Sequence, residues 1–442
     1  MSMISFSNLG FGIPNFLRSS DASAQGIDLA PVEIHEIEES PEKRARTLKH
    51  FIKGNHINHS IIYHHLEFHN HAPHILGSAF LLGASVERMH DIYEKESEEL
   101  EPWVDAPSEI SKHDWQDYLG KREYQRAWVD FFEDQLVQFG YDWKQLLFHF
   151  LFHRKNPLIN NVIAGLGHPL IHLGYALELN SPTLAIEALA LVASFYNKEH
   201  EYLDDPSYTK PSPWTSESPL EVFEKMRQDS RFESIGLDSP GSETLEAVTK
   251  NPDSEALLLE FWNALTVHGH PSQFEQVQKA AIALLVSPHE HGQKYDFFLV
   301  HVLTSTHALR VVIPMIPKQY HIALVRQWWL FAVSTYIAQQ RPKIDVAKIH
   351  AFDLKGKTWK HIDDDAVNGE YKLDAHFVKA LRAMKVAKET WGDPDEYFLK
   401  AAVHLNETFD GWGGFGNLTA IELEAIQKRE ALAAKKGMPT GF

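Results

Sequence analysis

Residues 327–337 read QWWLFAVSTYI, a run that is apolar almost all round. It lies within a longer segment, Pro317 to Gln340, and a helix that offers no polar face to solvent belongs inside a large body. The pattern predicts a central buried helix. Working outward, Trp128, Phe131, Phe132, Leu136 and Phe139 recur at helical spacing, and Gly140 follows where a left-handed cap would sit. A second stripe, Ala185, Ala188, Leu189, Val192, Phe195 and Tyr196, is opened by Ser181 and Pro182 in the N-cap and first-turn positions. Alternating runs bounded by turn signals are nearly absent, so the expected fold class is all-α: a single large multi-helix body with a long irregular insertion.

The body is expected over residues 44–442, preceded by an irregular arm at 1–43 and ending in a charged helix, IELEAIQKREALAAKKG. Residues 204–242, DDPSYTKPSPWTSESPLEVFEKMRQDSRFESIGLDSPGS, are rich in Pro, Ser and Asp and hold at most one short helix. A stretch of that length is a lid or a disordered linker. No internal repeat is evident.

Composition narrows the chemistry. A chain of 442 residues can bury a substantial core, and 42 basic against 60 acidic side chains leave a formal charge of −18. Such a surface repels nucleic acid and anionic membrane, so neither is an expected partner. There are no cysteines, which removes disulfides, zinc-thiolate sites, iron–sulfur clusters and thiol nucleophiles together. Any metal must be held by nitrogen and oxygen, and 27 histidines supply the nitrogen. The N-terminal MSMISFSNLGFGIPNFLRSS has no basic n-region and is broken by Gly10, Gly12 and Pro14, unlike a signal peptide. No segment holds about 18 uninterrupted apolar residues. A soluble, cytoplasmic protein is expected.

HExxH, Walker A and GxSxG patterns are missing. Gly411 to Gly416 spell G-x-G-x-x-G, but no βαβ unit surrounds them, so the stretch reads as a Gly-rich turn rather than a dinucleotide site. Four other segments carry histidine in deliberate settings. In FHNHAPH (68–74), Pro73 can occupy a first helical turn, with His74 inside it and His71 just before it. GLGHPLIHLGYALEL repeats the device at Pro169, which places His168 at the N-cap and His172 on the same face. His301 lies in an otherwise apolar helix with Thr304 one turn later, and DAHFVKALRAM sets His376 and Lys379 three apart. Each alone reads as a satisfied core residue. Together they favour a histidine-rich metal site.

At these four segments the sequence resembles the questin oxidase-like family, known from fungal aromatic polyketide pathways, over residues 45–410. The resemblance implies an oxygenase that opens the quinone ring of an anthraquinone-type polyketide with dioxygen. It carries two expectations for the cofactor. One is non-haem Fe(II), which suits this chain better; the alternative is a Baeyer–Villiger-type oxidase needing NADPH. Carried over residue by residue, it implies His71, His168, His301, His376 and Lys379 as metal ligands. His69, His74 and His172 become neighbours that orient a ligand or face the substrate.

A lysine ligand needs explanation, since an ammonium has no lone pair. Burial would favour the neutral amine, which reacts with carbon dioxide to give a carbamate, an anionic oxygen donor. The expected shell is therefore four imidazoles and a carboxylated Lys379 around one Fe(II). Thr304 could hydrogen-bond the carbamate, and a bond to a backbone carbonyl is its ordinary alternative. Two rivals remain: an all-α metal-dependent hydrolase, for which Asp374 and Asp296 are the available aspartates, and a helical binding protein without catalysis.

Overall fold

Among the residues that the computed structural model describes, 26–153 and 157–417 with the pairs 423–424 and 427–428, eighteen α-helices carry the chain and each of four strands is two residues long. The molecule is all-α, as the stripes predict. Nine helices build or brace its centre: α1 (Lys43–Asn58), α2 (Ala72–Leu81), α3 (Gln125–Gln138), α4 (His168–Glu178), α5 (Pro182–Ser194), α6 (Pro219–Gln228), α7 (Phe297–Val312), α8 (His321–Ala338) and α9 (Ala375–Trp391). Strands β1 (Ile62–Tyr63) and β2 (Phe68–His69) pair antiparallel, while β3 (Tyr295–Asp296) and β4 (Trp412–Gly413) pair parallel.

Helix α8 contains the QWWLFAVSTYI run, and Trp328, Trp329, Tyr336 and Ile337 on it are fully buried. Each such side chain contributes roughly 1.5–3 kcal/mol by leaving water. The Trp328 indole also donates to the Val302 carbonyl (3.2 Å) and the Ser305 hydroxyl (3.0 Å), which fastens α8 to α7. One described helix, Phe297–Met315, is long and apolar enough to cross a membrane, but 89% of its apolar window is buried inside the protein, where a core helix belongs. Helix α4 crosses α7 at Gly174, where an added Cβ would lie 3.3 Å from the Ala308 Cα. That close approach sets the spacing of the two helices that carry His168 and His301.

The caps follow local chemistry. The predicted stripe at 128–139 forms α3, and Gly140 beyond it has φ +61°. The Ser181 hydroxyl accepts the Leu184 amide at the start of α5. Residues 26–42 run without helix up to Lys43, anchored by buried Ile27 and Ile37. Residues 1–25, and the predicted C-terminal helix apart from the two pairs named above, lie outside the described residues.

The excursion at 204–242 contains one α-helix, α6, between short 3-10 turns at Pro206–Tyr208 and Ser230–Ser234. Its middle is pinned to the scaffold. Val222, Phe223 and Met226 are fully buried, and the Phe223 ring lies 4.9 Å from Trp329 and 4.6 Å from Tyr336. Phe223→Ala is expected to cost about 3–5 kcal/mol in urea unfolding. An unchanged midpoint would show that α6 contributes nothing to the core.

Candidate metal centre

Pro73 opens α2 as predicted, and the His71 carbonyl accepts the amides of His74 (2.9 Å) and Ile75 (3.0 Å). His71 therefore sits at the N-cap position with its ring free to point away from the helix. At the second Pro-started helix the expectation is off by one residue. His168 is the first helical residue of α4, and Gly167 is the N-cap, with φ +74°, a left-handed backbone that glycine adopts without strain. His301 lies one turn into α7, and His376 lies in the first turn of α9.

These four rings converge. One nitrogen from each of His71, His168, His301 and His376 lies within 4.8 Å of the others. The Nε2 atoms of His71 and His168 are 2.9 Å apart, and those of His376 and His301 are 3.2 Å apart. The opposite edges show which nitrogens are available. His168 Nδ1 is 2.6 Å from the Gly165 carbonyl and His301 Nδ1 is 2.8 Å from the Phe297 carbonyl. A carbonyl can only accept, so Nδ1 carries the proton in both rings and a neutral ring offers its Nε2 lone pair inward.

Burial keeps His71, His168 and His301 neutral. His71 and His168 are held well below the ordinary histidine range, first by desolvation and then by nearby cationic groups. His301 is pushed down to about 3, by burial and by Lys379. Neutral lone pairs facing one another at such distances call for a proton or a cation between them. An ion with imidazole bonds of about 2.1 Å and neighbouring ligands at right angles holds those nitrogens about 3.0 Å apart. The donor set fits a metal ion.

Lys379 is buried one turn beyond His376, and its Nζ has no hydrogen-bond partner among the described residues. Desolvation pushes it down to about 7, against the opposing pull of Asp374 and Glu96. It does not reach solvent. A cavity of about 10 Å³ adjoins it, lined also by Tyr175, Glu178, Thr304, His307 and Arg382. Thr304 Oγ1 lies 3.5 Å from the His301 carbonyl, a long contact that leaves its hydroxyl weakly held. Across the cavity Arg382 donates to Glu178 and, at 2.9 Å, to His307 Nε2.

Three further histidines surround the cluster. His69 stacks on His168 with ring centroids 3.8 Å apart and an interplanar angle of 7°. His74 Nε2 is 3.0 Å from His172 Nδ1, and His172 Nε2 is 2.8 Å from Glu187 Oε2. Glu187 Oε1 in turn lies 2.8 Å from His56 Nδ1. Sequence reasoning passed over Glu187, His56 and the Glu178–Arg382 pair. The available signal was an ionisable residue inside an apolar helical stripe, Glu187 in TLAIEALALVAS and Glu178 in GYALEL.

Burial pulls His56 down, but hydrogen bonds to Glu133 and Glu187 hold it up at about 9. Burial pushes Glu187 up, but its bonds to His172 and His56 hold it down at about 2. The raised histidine stabilises the fold fully below 6.5, and loses that contribution as pH rises through about 9. The lowered carboxylate contributes above 4.5 and loses it as pH falls through about 2. His56→Gln should therefore lose about 3 kcal/mol near pH 6, with the gap to the parent narrowing as pH climbs past His56's own titration. Thermal melts across that range check it, and a pH-independent gap would contradict the ion pair.

The aspartates and the Gly-rich stretch have structural employment. Asp296 Oδ1 accepts the amides of Phe298 (2.8 Å) and Leu299 (2.9 Å) at the start of α7, and Asp374 Oδ1 accepts the Phe377 amide (2.8 Å) at the start of α9. Both cap the helices that carry His301 and His376. The stretch predicted as a turn includes strand β4, which pairs beside β3 rather than opening a helix. Its Phe415 ring lies 5.2 Å from Phe297 of α7, which is 4.9 Å from His301 and 4.7 Å from His376. His71, Phe297 and Phe415 are half-buried and mark the side on which the cluster approaches solvent.

The family model described as questin oxidase-like matches residues 68–384, a span that contains all four converging histidines and Lys379. The chain belongs to the questin oxidase-like family. A Baeyer–Villiger oxidase of Pestalotiopsis microspora is 23% identical over 78% of this chain and 81% of its own length. The oxidoreductase AflY of Aspergillus parasiticus is 26% identical over 73% of this chain and 68% of its own. A questin oxidase of Aspergillus fumigatus is 21% identical over 79% and 82%. Oxidoreductase chemistry is the common content of these questin oxidase-like relatives.

Proposed function

We propose that this chain is a non-haem iron-dependent oxygenase that cleaves the quinone ring of an anthraquinone-type aromatic polyketide with dioxygen. The convergence of four imidazoles from four separate chain segments carries the reading. His71, His168, His301 and His376 would hold Fe(II), and a carboxylated Lys379 would add an oxygen donor, a nitrogen-and-oxygen shell suited to that ion. When bound, the iron would supply the activation of dioxygen.

The rest of the work falls to the protein. The Gly165 and Phe297 carbonyls orient two of the ligand rings. Phe297 and Phe415 offer aromatic faces on which a polycyclic substrate can stack, on the half-buried side of the cluster. The cavity at Lys379 is too small for such a substrate, so the polycycle takes the aromatic side and the cavity serves the lysine.

The Baeyer–Villiger names of six relatives, the Pestalotiopsis microspora protein among them, favour a second reading, a Baeyer–Villiger-type oxidase that draws electrons from NADPH. The hydrolase reading weakens because Asp296 and Asp374 are occupied as helix caps. Metal analysis of protein purified without chelators, followed by oxygen uptake with an anthraquinone in the presence and absence of NADPH, separates these. Stoichiometric iron, with uptake that is lost when the iron is removed even where NADPH supplies the electrons, is the expected result. Uptake that requires NADPH and survives iron removal would replace it with the Baeyer–Villiger reading.

A further inference from the structure

A continuous hydrogen-bonded chain starts at His74, beside the histidine cluster, and ends at the surface. From His74 it passes to His172 (3.0 Å), Glu187 (2.8 Å), His56 (2.8 Å) and Glu133 (3.1 Å). The Glu187 side chain is 1% exposed and that of Glu133 is 45% exposed. The links cross from α2 through α4, α5 and α1 to α3.

Chemistry constrains the donors. A carboxylate accepts at both oxygens, so His172 Nε2 and His56 Nδ1 both donate to Glu187. His56 also donates through Nε2 to Glu133, which makes its ring a cation between two carboxylates. His172, protonated at Nε2, accepts at Nδ1 from His74 Nε2. That leaves His74 Nδ1 as a bare lone pair, buried and without a partner among the described residues. When Glu187 instead takes the His56 proton and donates it to His172 Nε2, the two inner bonds reverse. His172 Nδ1 then donates to His74 Nε2, and His74 Nδ1 becomes the free donor beside the cluster.

An apolar filling of the same space would be at least as stable as a buried charged network. What the network adds is a route. His74 stands beside the cluster, its ring 5.6 Å from His71 and 6.3 Å from His168. The charged neighbours of His56 are Glu187 from α5 and Glu133 from α3, with Arg126 acting on Glu133 from one side.

We propose that Glu133, His56, Glu187, His172 and His74 form a proton-conducting path between solvent and the cluster, a role that rests on reading the cluster as an oxygenase site. Opening a quinone ring with both atoms of dioxygen retained takes up two electrons and two protons. A reduced nicotinamide can supply both electrons and one proton, so one proton must come from solvent. The path delivers it by making and breaking one N–H or O–H bond at each link. The links whose state is read below, Glu133, His56 and Glu187, sit on helices that carry none of the four candidate ligands.

Two measurements test this. In metal-free protein labelled with nitrogen-15 at histidine, His56 should show both ring nitrogens protonated at mildly alkaline pH, and Glu187→Gln should abolish that signature. A neutral His56 under those conditions overturns the path. In the iron-loaded enzyme, Glu133→Gln should lower kcat about tenfold at unchanged KM and enlarge the solvent deuterium isotope effect. Glu133→Asp should keep most of the rate, and added imidazole should restore Glu133→Ala. Glu133 is half exposed, so these variants fold even where Glu187→Gln does not. Parent enzyme without oxygen uptake on any anthraquinone overturns the oxygenase reading. An active parent whose Glu133→Gln form keeps full kcat and an unchanged isotope effect overturns the path alone.

Discussion

His301→Ala, purified without chelators, retains no stoichiometric iron and shows no anthraquinone-dependent oxygen uptake. The expectation follows from geometry: His301 faces His376 at 3.2 Å, and its Nδ1 is tied to the Phe297 carbonyl, so its Nε2 has no other role than to point inward. Losing a group that only orients a ligand weakens metal binding by about 10–100-fold, and losing a ligand should exceed that. The variant also leaves a cavity in α7, so far-UV circular dichroism and a melt must accompany the metal analysis. Folded protein that still carries one iron per chain would remove His301 from the shell. The same experiment on His69, which stacks on His168 without joining the cluster, should leave the iron in place.

Lys379→Ala has the second largest expected effect, and it distinguishes a carbamate from a buried amine. With its amine pushed down to about 7, Lys379 is largely neutral at slightly alkaline pH. A neutral amine adds carbon dioxide to form the carbamate and releases one proton, whereas the ammonium cannot react. Iron loading of the parent should therefore depend on dissolved carbon dioxide and slow as pH falls through the lysine's titration. Lys379→Ala should lose both iron and uptake, with partial recovery when a short carboxylate such as formate or propionate is supplied. Lys379→Met, which fills the space without a donor, should behave as the alanine variant does. Full iron and rate in Lys379→Met would make the lysine a packing residue only.

Much of the site was legible in short stretches. FHNHAPH and GHPLIHLGYALEL each announce a Pro-started helix with histidine at its entrance, and both helices form where the prolines place them. The one-residue shift at His168 came from Gly167, whose left-handed backbone takes the cap position that Pro169, read as the first helical residue, assigns to His168. Asp296 and Asp374 stood as the aspartates available to a rival hydrolase because sequence shows residue type and not direction. Their carboxylates turn back onto the amides of their own helices. Glu187 was overlooked because a lone acid in an apolar stripe has no local partner; its partners come from α4 and α1.

The sequence by itself determined the fold class, most helix starts and the histidine-bearing segments. These depend on contacts within one or two turns, where the spacing of apolar side chains and the placement of Pro, Ser and Asp act directly. Tertiary structure alone decided that His71 meets His168 across 97 residues and His301 meets His376 across 75. It also decided which nitrogen of each ring faces inward and which acids pair with which bases. Those outcomes depend on how helices distant in the chain pack against one another, and no local pattern encodes the angle or depth at which they cross.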